Sequence, residues 1–252
     1  MKRWILPAVG GLLIMQASAG RLVFADGVHI GRDTGGKLLT DIEPIFTRLI
    51  ALAPTLPGGV FNGFTGADPG YTNLLDPPPN NSPLLPLDPG AEIHLEAVSI
   101  DPALLIVGTD FQLLQSPGDQ TLLGSAAAIF DAHPTYVIDS DDPAFDSNGC
   151  VWQAVLRVVD LGATAYAPSD PFVLRFTNVA PRPADGDFDG DAQVTDADVQ
   201  ALVACLQGPG AIAGIPETPT CEPMCLNAFD FDADGDVDLH DYGRFQAVVA
   251  GP

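Results

Sequence analysis

The sequence predicts a mainly β N-terminal domain, a β-sandwich or jelly roll, followed by a small α-helical unit. Short apolar runs separated by turn residues fill the chain up to about residue 180. Two prolines then occur within four residues, and the chain continues as an acidic segment that contains an internal duplication. Many short strands with frequent turns are typical of sandwiches, and a change of composition beyond a stiff proline segment is typical of a domain boundary.

The strand prediction rests on runs that are rich in Val, Ile, Leu, Phe and Thr. Because successive side chains of a strand point to opposite faces, alternation within such a run indicates a half-buried strand. Residues 150–159 show it best, since one face would carry Trp152, Ala154, Leu156 and Val158. The five clearest runs are 91–100, 103–108, 134–139, 150–159 and 172–179.

Helical patterns are scarce in the first part of the chain. Only the apolar segments 45–53 and 122–130 are predicted as helices there. The segment 56–90 is dominated by Gly, Pro, Asn and Asp and is predicted as a long loop, since strands continue after it. The predicted organisation is a signal peptide (1–19), a β domain (20–180), a proline-rich hinge (181–186) and a small helical domain (187–252).

The first nineteen residues have the pattern of a secretory signal. Lys2 and Arg3 precede the apolar stretch 5–15, which is too short to span a bilayer, and residues 17–19 form a small-residue cleavage site. No later stretch is apolar for long enough to cross a membrane. The sequence therefore predicts a secreted or cell-surface protein without membrane insertion after the signal is removed.

The charge balance excludes some partners. The formal charge is −23, and removing two basic residues with the signal peptide makes it −25. Such a chain is repelled by nucleic-acid phosphates and by anionic lipids, so neither is expected as a partner. Divalent cations are expected instead.

Four cysteines occur, and three of them lie in the last fifty residues. An even number in an exported chain is compatible with disulfides. We expect Cys205 to pair with Cys221 or Cys225, and the sequence does not choose between these two partners for it. Zinc is disfavoured because Cys221-x-x-x-Cys225 has no second cysteine pair at finger spacing.

The acidic segment contains two matching twelve-residue units. DFDGDAQVTDAD (187–198) aligns without gaps to DFDADGDVDLHD (230–241). Each unit places side-chain oxygens at positions 1, 3 and 5, a backbone carbonyl at position 7 and a carboxylate at position 12, which is the ligand spacing of an EF-hand calcium loop. A divalent ion would make the crowding of these like charges tolerable, because its attraction for each carboxylate exceeds their mutual repulsion.

Two Ca²⁺ sites are therefore predicted. The first set is Asp187, Asp189, Asp191, the Gln193 carbonyl and Asp198, with Thr195 as an additional candidate. The second set is Asp230, Asp232, Asp234, the Asp236 carbonyl and Asp241, with Asp238 acting through water.

The two sites should differ in affinity. Position 6, where the loop turns sharply, is Gly235 in the second loop but Ala192 in the first. A Cβ in a left-handed conformation costs about 1–2 kcal/mol, so we expect the second site to be the stronger. At position 8, Val194 and Val237 should anchor the loops to the core.

Each loop is expected to lead into a short helix, whereas no helix is expected before either loop. The apolar stripe predicted for the first helix is Val199, Leu202, Val203 and Leu206. The stripe predicted for the second is Tyr242, Phe245 and Val249.

Residues 185–250 resemble the type I dockerin domain, in which two calcium loops each lead into one helix and end in Asp rather than Glu. The resemblance implies calcium binding, and in that family it implies docking onto cohesin modules of scaffold proteins, often in assemblies that degrade polysaccharides. Members that bind cohesins usually carry small hydroxyl residues at loop positions 10 and 11, where this chain has Asp196-Ala197 and Leu239-His240. The chain is more similar to the dockerin-like tails of exported proteins from environmental bacteria.

Catalytic candidates are few. Glu92, His94 and Glu96 would share one face of a strand, faintly similar to the acidic strand of jelly-roll glucanases, although the solvated face of a half-buried strand is the favoured interpretation. His133 lies near several aspartates in the sequence, but without regular ligand spacing, so a solvated turn is favoured over a cation site there; these are Asp131, Asp139, Asp141, Asp142 and Asp146. No catalytic residue is assigned.

The leading hypothesis is a secreted, non-enzymatic, calcium-binding protein with an attachment or assembly module and a structural or partner-binding β domain. Its candidate partners are a cohesin-like or other cell-surface protein and a polysaccharide. The alternatives are a polysaccharide-active enzyme, specifically a glycoside hydrolase, and a carbohydrate-binding module, each carrying the dockerin-like tail.

Overall fold

The structure is a computed structural model that describes residues 27–46, 49–56, 59–73, 83–147, 149–206, 222–232 and 236–250. The predicted signal peptide lies outside the described residues. Fourteen strands lie in the described part before residue 178: β1 (Gly27–Arg32), β2 (Leu38–Ile42), β3 (Leu49–Ala51), β4 (Ala53–Pro54), β5 (Gly63–Gly66), β6 (Gly70–Thr72), β7 (Glu92–Ile100), β8 (Leu104–Val107), β9 (Leu113–Leu114), β10 (Gln120–Ser125), β11 (Asp131–Ala132), β12 (Thr135–Asp139), β13 (Trp152–Asp160) and β14 (Phe172–Thr177).

These strands form three sheets around one hydrophobic core. Their orders are β11-β6-β1-β2, β10-β7-β13-β14-β3 and β4-β5-β12-β8-β9. Most pairings are antiparallel, and the parallel pairs are β1 with β6 and β14 with β3. Ile30, Ile93, Ile106 and Phe176 bring side chains from all three sheets into the same buried cluster. The prediction of a mainly β fold is confirmed for the described residues.

Alternation along β13 shows which face of the sheet β10-β7-β13-β14-β3 is turned toward the core. Trp152, Ala154, Leu156 and Val158 are buried, whereas Gln153 between them is exposed. Because a one-residue slip would turn every one of these side chains outward, the pattern excludes odd shifts in the register of β13 against β7 and β14. Each of the five runs predicted as strands contains a strand.

The two helices predicted upstream are wrong. Segment 45–53 contains the end of a short 3₁₀ turn (Pro44–Phe46) and then β3 and the start of β4. Segment 122–130 contains the end of β10, in which Thr121 and Leu123 alternate inward. Short apolar runs do not distinguish a helix from a buried strand, and here pairing with β14 and β7 decides for the strand.

The segment predicted as one long loop, 56–90, contains more structure than expected. It holds β5 and β6, and Leu85 forms an isolated bridge with Arg32. Tyr71 in β6 is fully buried and its hydroxyl lies 3.1 Å from that of Tyr136, which donates to the Pro69 carbonyl. Residues 57–58 and 74–82 of this segment lie outside the described residues.

Three helices occur in the described part after residue 195: α1 (Asp196–Cys205), α2 (Glu222–Phe229) and α3 (Leu239–Ala250). They surround a second cluster of buried residues, Leu202, Cys205, Cys225, Ala228, Phe229, Val237 and Phe245. Phe229 is its centre, since its ring stacks on Phe188 and meets the edge of Phe245. Within the described residues, none of the helices has the length and apolarity needed to cross a bilayer.

Helix α2 corrects the expectation that no helix precedes the second loop. Cys225, Ala228 and Phe229 lie at i, i+3 and i+4 spacing, so they bury one face of a helix that ends where the loop begins. Pro223 stands near its start, where a missing amide donor costs no helical hydrogen bond. The second loop therefore has a helix on each side.

The helix stripes predicted from sequence are only partly correct. In α1, Leu202 is buried and Leu206 packs beside the cluster, but Val203 is 66 % exposed and Cys205 takes the inward place. In α3, Phe245 is buried, whereas Tyr242 and Val249 are exposed. Which face of a helix is buried depends on its packing within this cluster and, for α1, on the disulfide to α2. It does not depend on the longest apolar stripe.

The disulfide pairs Cys205 with Cys225 and so joins α1 to α2. This selects one of the two partners that the sequence left open for Cys205. Cys150 is also disulfide-bonded. Cys221, the remaining cysteine of the sequence, lies outside the described residues.

Candidate metal centre

The first loop folds around its first carboxylate. Asp187 Oδ1 accepts hydrogen bonds from the amides of Gly190 (2.7 Å) and Asp191 (3.2 Å), and its Oδ2 accepts one from Ala192 (2.9 Å). Gly190 and Ala192 both have left-handed backbone, with φ of 77° and 65°. The sharp turn at position 6 is therefore made by an alanine, as expected from the sequence.

Three carboxylates of the first loop converge. Ligand oxygens of Asp187, Asp189 and Asp198 all lie within 4.8 Å of one another. Asp198 is on the first turn of α1, where Thr195 is the N-cap of a capping box: its backbone amide donates to Asp198 and its hydroxyl accepts from the Ala197 amide. The helix start thus fixes the carboxylate at position 12, because cap and ligand belong to one hydrogen-bonded unit.

The second loop gathers carboxylates in two overlapping groups. Asp230, Asp232 and Asp241 bring ligand oxygens within 4.8 Å of one another, and Asp236, Asp238 and Asp241 do the same. Asp241 belongs to both groups and is completely buried. It lies on the first turn of α3, as Asp198 does on α1.

The carboxylate at position 12 makes the same contacts in both loops. One oxygen of Asp198 accepts from the Phe188 amide (2.8 Å) and the other from the Thr195 amide (2.7 Å). The matching oxygens of Asp241 accept from the Phe231 amide (2.7 Å) and the Asp238 amide (2.8 Å). The internal duplication is therefore a duplication of geometry, with positions 2, 9 and 12 tied together twice.

Three carboxylates of the loops are buried without an ion pair to a basic side chain of the described residues. Asp187, Asp198 and Asp241 are at most 8 % exposed, and none of the three is ion-paired with a lysine or arginine in the described part of the chain. Burial would raise the pKa of Asp198, but the amides of Thr195 and Phe188 outweigh it, so the pKa lies below its ordinary value. Ionised carboxylates buried together repel unless a cation joins them.

Some predicted ligands lie outside the converging groups. The Asp191 carboxylate accepts from the Gln193 amide (2.8 Å) and is not among the three converging side chains of its loop. Gln193 itself is exposed. Asp234, together with the turn residue Gly235, lies outside the described residues.

Two features of the second loop were missed from the sequence. Asp236 and Asp238 were assigned a backbone ligand and a water-mediated ligand, but both side chains are buried beside Asp241. The sequence does contain a sign of this difference. Positions 7 and 9 are aspartates in the second loop, whereas they are Gln193 and Thr195 in the first. The second loop therefore gathers more negative charge than the first.

Two arginines also support the loops. Arg182 and Arg244 are the only Lys or Arg residues from position 180 onward. Arg182 donates to the Asp187 carbonyl (2.5 Å), and Arg244 donates to the Phe231 carbonyl. Both guanidinium groups thus hold the loop backbone from outside.

The residues present suit a hard divalent cation. All the converging side chains are carboxylates, and Ca²⁺ prefers six to eight oxygen ligands. Asp232 Oδ1 is buried without a hydrogen-bond partner. A buried acceptor of this kind is costly unless something binds it, and in this loop a cation would do so.

The strand that carries Glu92, His94 and Glu96 is β7, and the structure shows what these side chains contact. Glu92 Oε1 lies 2.9 Å from His94 Nε2. Glu96 is buried. One of its oxygens accepts a hydrogen bond from the Arg157 guanidinium and the other accepts one from the Gln120 side-chain amide (2.6 Å). Gln120, Glu96 and Arg157 stand directly opposite one another on β10, β7 and β13, so they form a cross-strand row that joins the sheet.

His133 lies near different aspartates from most of those that the sequence suggested. Its Nε2 is 3.1 Å from Asp131 and its Nδ1 is 3.8 Å from Asp68. Asp139 and Asp142 accept backbone amides of their own turn instead. The groups of potential metal ligands among the described residues do not include His133.

Comparison with known proteins gives no match: no protein-family model, no curated protein and no solved structure is similar to this chain.

Proposed function

We propose that the chain is a secreted protein whose C-terminal helical unit binds two Ca²⁺ ions, one in each twelve-residue loop. The repeated contact of Asp198 and Asp241 with the amides at positions 2 and 9 carries this proposal. The two segments also share a Phe at position 2 and a Val at position 8, and in both of them the position-12 carboxylate accepts the same two amides. Calcium would stabilise that arrangement by relieving the repulsion among the carboxylates.

The second site is the stronger of the two in this proposal. Its loop holds the additional buried carboxylates of Asp236 and Asp238, and ligand charge is one determinant of calcium affinity in such loops. The first loop carries the strain of a left-handed alanine at Ala192. Both differences favour the second loop.

The helical unit serves attachment or assembly, and the β domain, a β-sandwich, is a structural or partner-binding part. The partner class is a cell-surface protein, and a polysaccharide is the second class to be tested. Glu96 supports a structural role for β7, because both of its oxygens are engaged by side chains of the neighbouring strands. A glycoside hydrolase would need this carboxylate to reach a substrate.

Calorimetric titration of the full chain with Ca²⁺ tests the proposal. We expect two sites in the unaltered protein and one in each of the matched variants Asp189→Ala and Asp232→Ala, which remove position 3 from the first and second loop. Asp232→Ala should remove the tighter site. Asp196→Ala is the control, since it removes an exposed carboxylate of the same unit that is not among the converging ligands.

Two results would contradict the proposal. One is a titration of the unaltered protein without calcium uptake. The other is an equal loss of calcium binding in Asp196→Ala and in Asp232→Ala, because binding would then follow net charge and not the two loops.

A further inference from the structure

The segment that connects β14 to the first loop, residues 178–186, contacts helix α2 at two places, and the first contact is made by the Asn227 side chain. Asn227 donates from Nδ2 to the Ala180 carbonyl (2.8 Å) and accepts at Oδ1 from the Arg182 amide (3.0 Å). A side-chain amide has the same donor and acceptor as a peptide group, so Asn227 pairs with this backbone much as a neighbouring strand would.

The end of the connecting segment is bound to the same helix. The Gly186 amide donates to the Ala228 carbonyl (2.8 Å), one residue after Asn227. Gly186 has a φ of 83°, and a Cβ there would lie 3.1 Å from the Phe245 ring. Glycine is therefore needed for this close approach.

Arg182 links the connecting segment to the first loop. Its guanidinium donates to the Asp187 carbonyl (2.5 Å) and lies 3.5 Å from the Asp185 carboxylate. Pro181 and Pro183 restrict the backbone on both sides of it. The connecting segment is thus a stiff piece of chain with defined contacts at Ala180, Arg182 and Gly186.

The contacts of α2 lie next to both calcium loops. Asn227 and Ala228 come directly before Phe229, the centre of the helical core, and Asp230, the first residue of the second loop. Gly186 comes directly before Asp187, the first residue of the first loop. Whatever loosens either loop therefore loosens one side of this contact.

We infer that calcium fixes the connecting segment on α2 through Asn227, and so fixes the direction in which the β part leaves the helical unit. The inference rests on the proposed calcium binding. With the loops filled, the end of α2 and the start of the first loop are held, and the segment stays bound between them. With the loops empty, carboxylate repulsion frees both sides of this contact, and the segment separates from α2.

Amide hydrogen exchange on the full chain, resolved to single residues and measured with and without Ca²⁺, tests this inference. Pro181 and Pro183 have no amide, so the Arg182 and Gly186 amides report the two contacts separately. At a free calcium concentration of about 100 times Kd, we expect both to exchange roughly 100-fold more slowly than in the calcium-free protein. Ala184, whose amide has no hydrogen bond in the described structure, should not respond.

Asn227→Ala should remove the calcium-dependent protection of the Arg182 amide and keep that of Gly186, whose acceptor is a backbone carbonyl. Asn227→Asp keeps the acceptor oxygen and should retain protection at Arg182. Gln246→Ala, which removes an exposed side-chain amide from α3, is the matched control and should leave both amides protected.

Calcium uptake is titrated calorimetrically in the same samples, which separates two failures. If the unaltered protein binds calcium but the Arg182 and Gly186 amides exchange at unchanged rates, the inference is overturned and the proposed function stands. Protection of Arg182 that persists in Asn227→Ala also overturns it. If no calcium is taken up, the proposed function and this inference both fail.

Discussion

At the scale of single residues, the two loops show how one position can be predicted from sequence and its neighbour missed. Asp198 and Asp241 occupy the places expected from ligand spacing, because loop length alone sets position 12 against position 1. Asp238 was expected to act at a distance, yet its side chain is buried beside Asp241. Its burial depends on how α3 packs on the loop, and spacing contains no information about packing.

The left-handed alanine of the first loop gives a prediction about affinity. Ala192→Gly removes a Cβ from a residue with φ of 65°, so it should stabilise the filled loop by about 1 kcal/mol. This corresponds to calcium binding at the first site that is about fivefold tighter, measured by calorimetric titration.

Ala204→Gly is the control for the glycine itself. Ala204 is exposed within α1, where glycine costs about 1 kcal/mol of helix stability and relieves no strain. If Ala192→Gly weakened calcium binding at the first site, the cost of adding a glycine would outweigh any relief of strain. Strain at Ala192 would then not explain a difference in calcium affinity between the two sites.

Asp160, at the end of β13, gives a prediction about acid stability. Its carboxylate accepts from the amides of Glu92, Gly162 and Tyr166 and from the Thr164 hydroxyl. Burial would raise the pKa of Asp160, but these donors outweigh it and lower the pKa below its ordinary value. A lowered folded-state pKa contributes stability above about pH 4 that is lost as the pH falls through the folded-state value.

Asp160→Asn should therefore lower the free energy of unfolding by roughly 2 kcal/mol at pH 7, with the difference from the unaltered protein shrinking below about pH 4. Thermal melts from pH 7 to pH 3 measure this. Asp170→Asn, at an exposed carboxylate paired with Lys37, should change little at any pH. A deficit in Asp160→Asn that stays constant over the whole pH range would contradict the assignment.

At the scale of elements, helix α2 is the part that sequence reasoning missed, and its role is larger than its eight residues suggest. It is joined to α1 by the Cys205–Cys225 disulfide, supplies Phe229 to the core and receives the connecting segment at Asn227. The helix has only eight residues, so its apolar positions form no long stripe that would predict a helix from the sequence. The core contact of Phe229 and the disulfide decide its structure, and both involve residues distant in sequence.

The disulfide gives a prediction at this scale. It closes a loop between cysteines 20 residues apart, for which constraint of the unfolded chain contributes about 3 kcal/mol. The double variant Cys205→Ala/Cys225→Ala should lose that amount from the stability of the helical unit, measured by the helical circular dichroism signal during a thermal melt in calcium.

Val203→Ala on the exposed face of α1 is the comparison for that melt and should change stability by less than about 0.5 kcal/mol. Equal melting of the double cysteine variant and the unaltered protein would show that calcium alone holds α1 to α2.

At the scale of the whole molecule, the mainly β composition and the acidic duplication were readable from the sequence, whereas the sheet connections were not. Strand β13 could be predicted because apolar residues such as Trp152 and Leu156 alternate with polar ones along it. Strand β3 read as a helix because Ile50 lies in a short apolar run, and only its pairing with β14 makes it a strand. The Arg157 partner of Glu96 depends on the register of β7 and β13, which local pattern does not fix.

The two hydrophobic clusters give a prediction about chelation. Trp152, buried in the β core against Phe145, is the only tryptophan outside the predicted signal peptide, so its fluorescence reports that core. Chelating calcium should lower the melting temperature of the helical unit, measured by circular dichroism, by about 10–20 °C for each tightly bound ion. The melting temperature measured by Trp152 fluorescence should stay unchanged. Magnesium chloride at equal ionic strength is the control, and a parallel shift of both signals would mean that the clusters unfold as one.

The pairing of β3 with β14 sets a limit on the order in which the molecule can form. Strand β3 lies near one end of the β part and β14 at the other, and the sheet in which β3 is an edge strand is complete only when the two meet. Contacts between such distant segments slow folding. The chain loses the entropy of closing a long loop before the contacts between the two strands can stabilise it. A chain emerging from the ribosome or an export channel must therefore release residue 177 before β14 can cover Ile50, which leaves this apolar strand open to chaperones while residues 51–177 emerge.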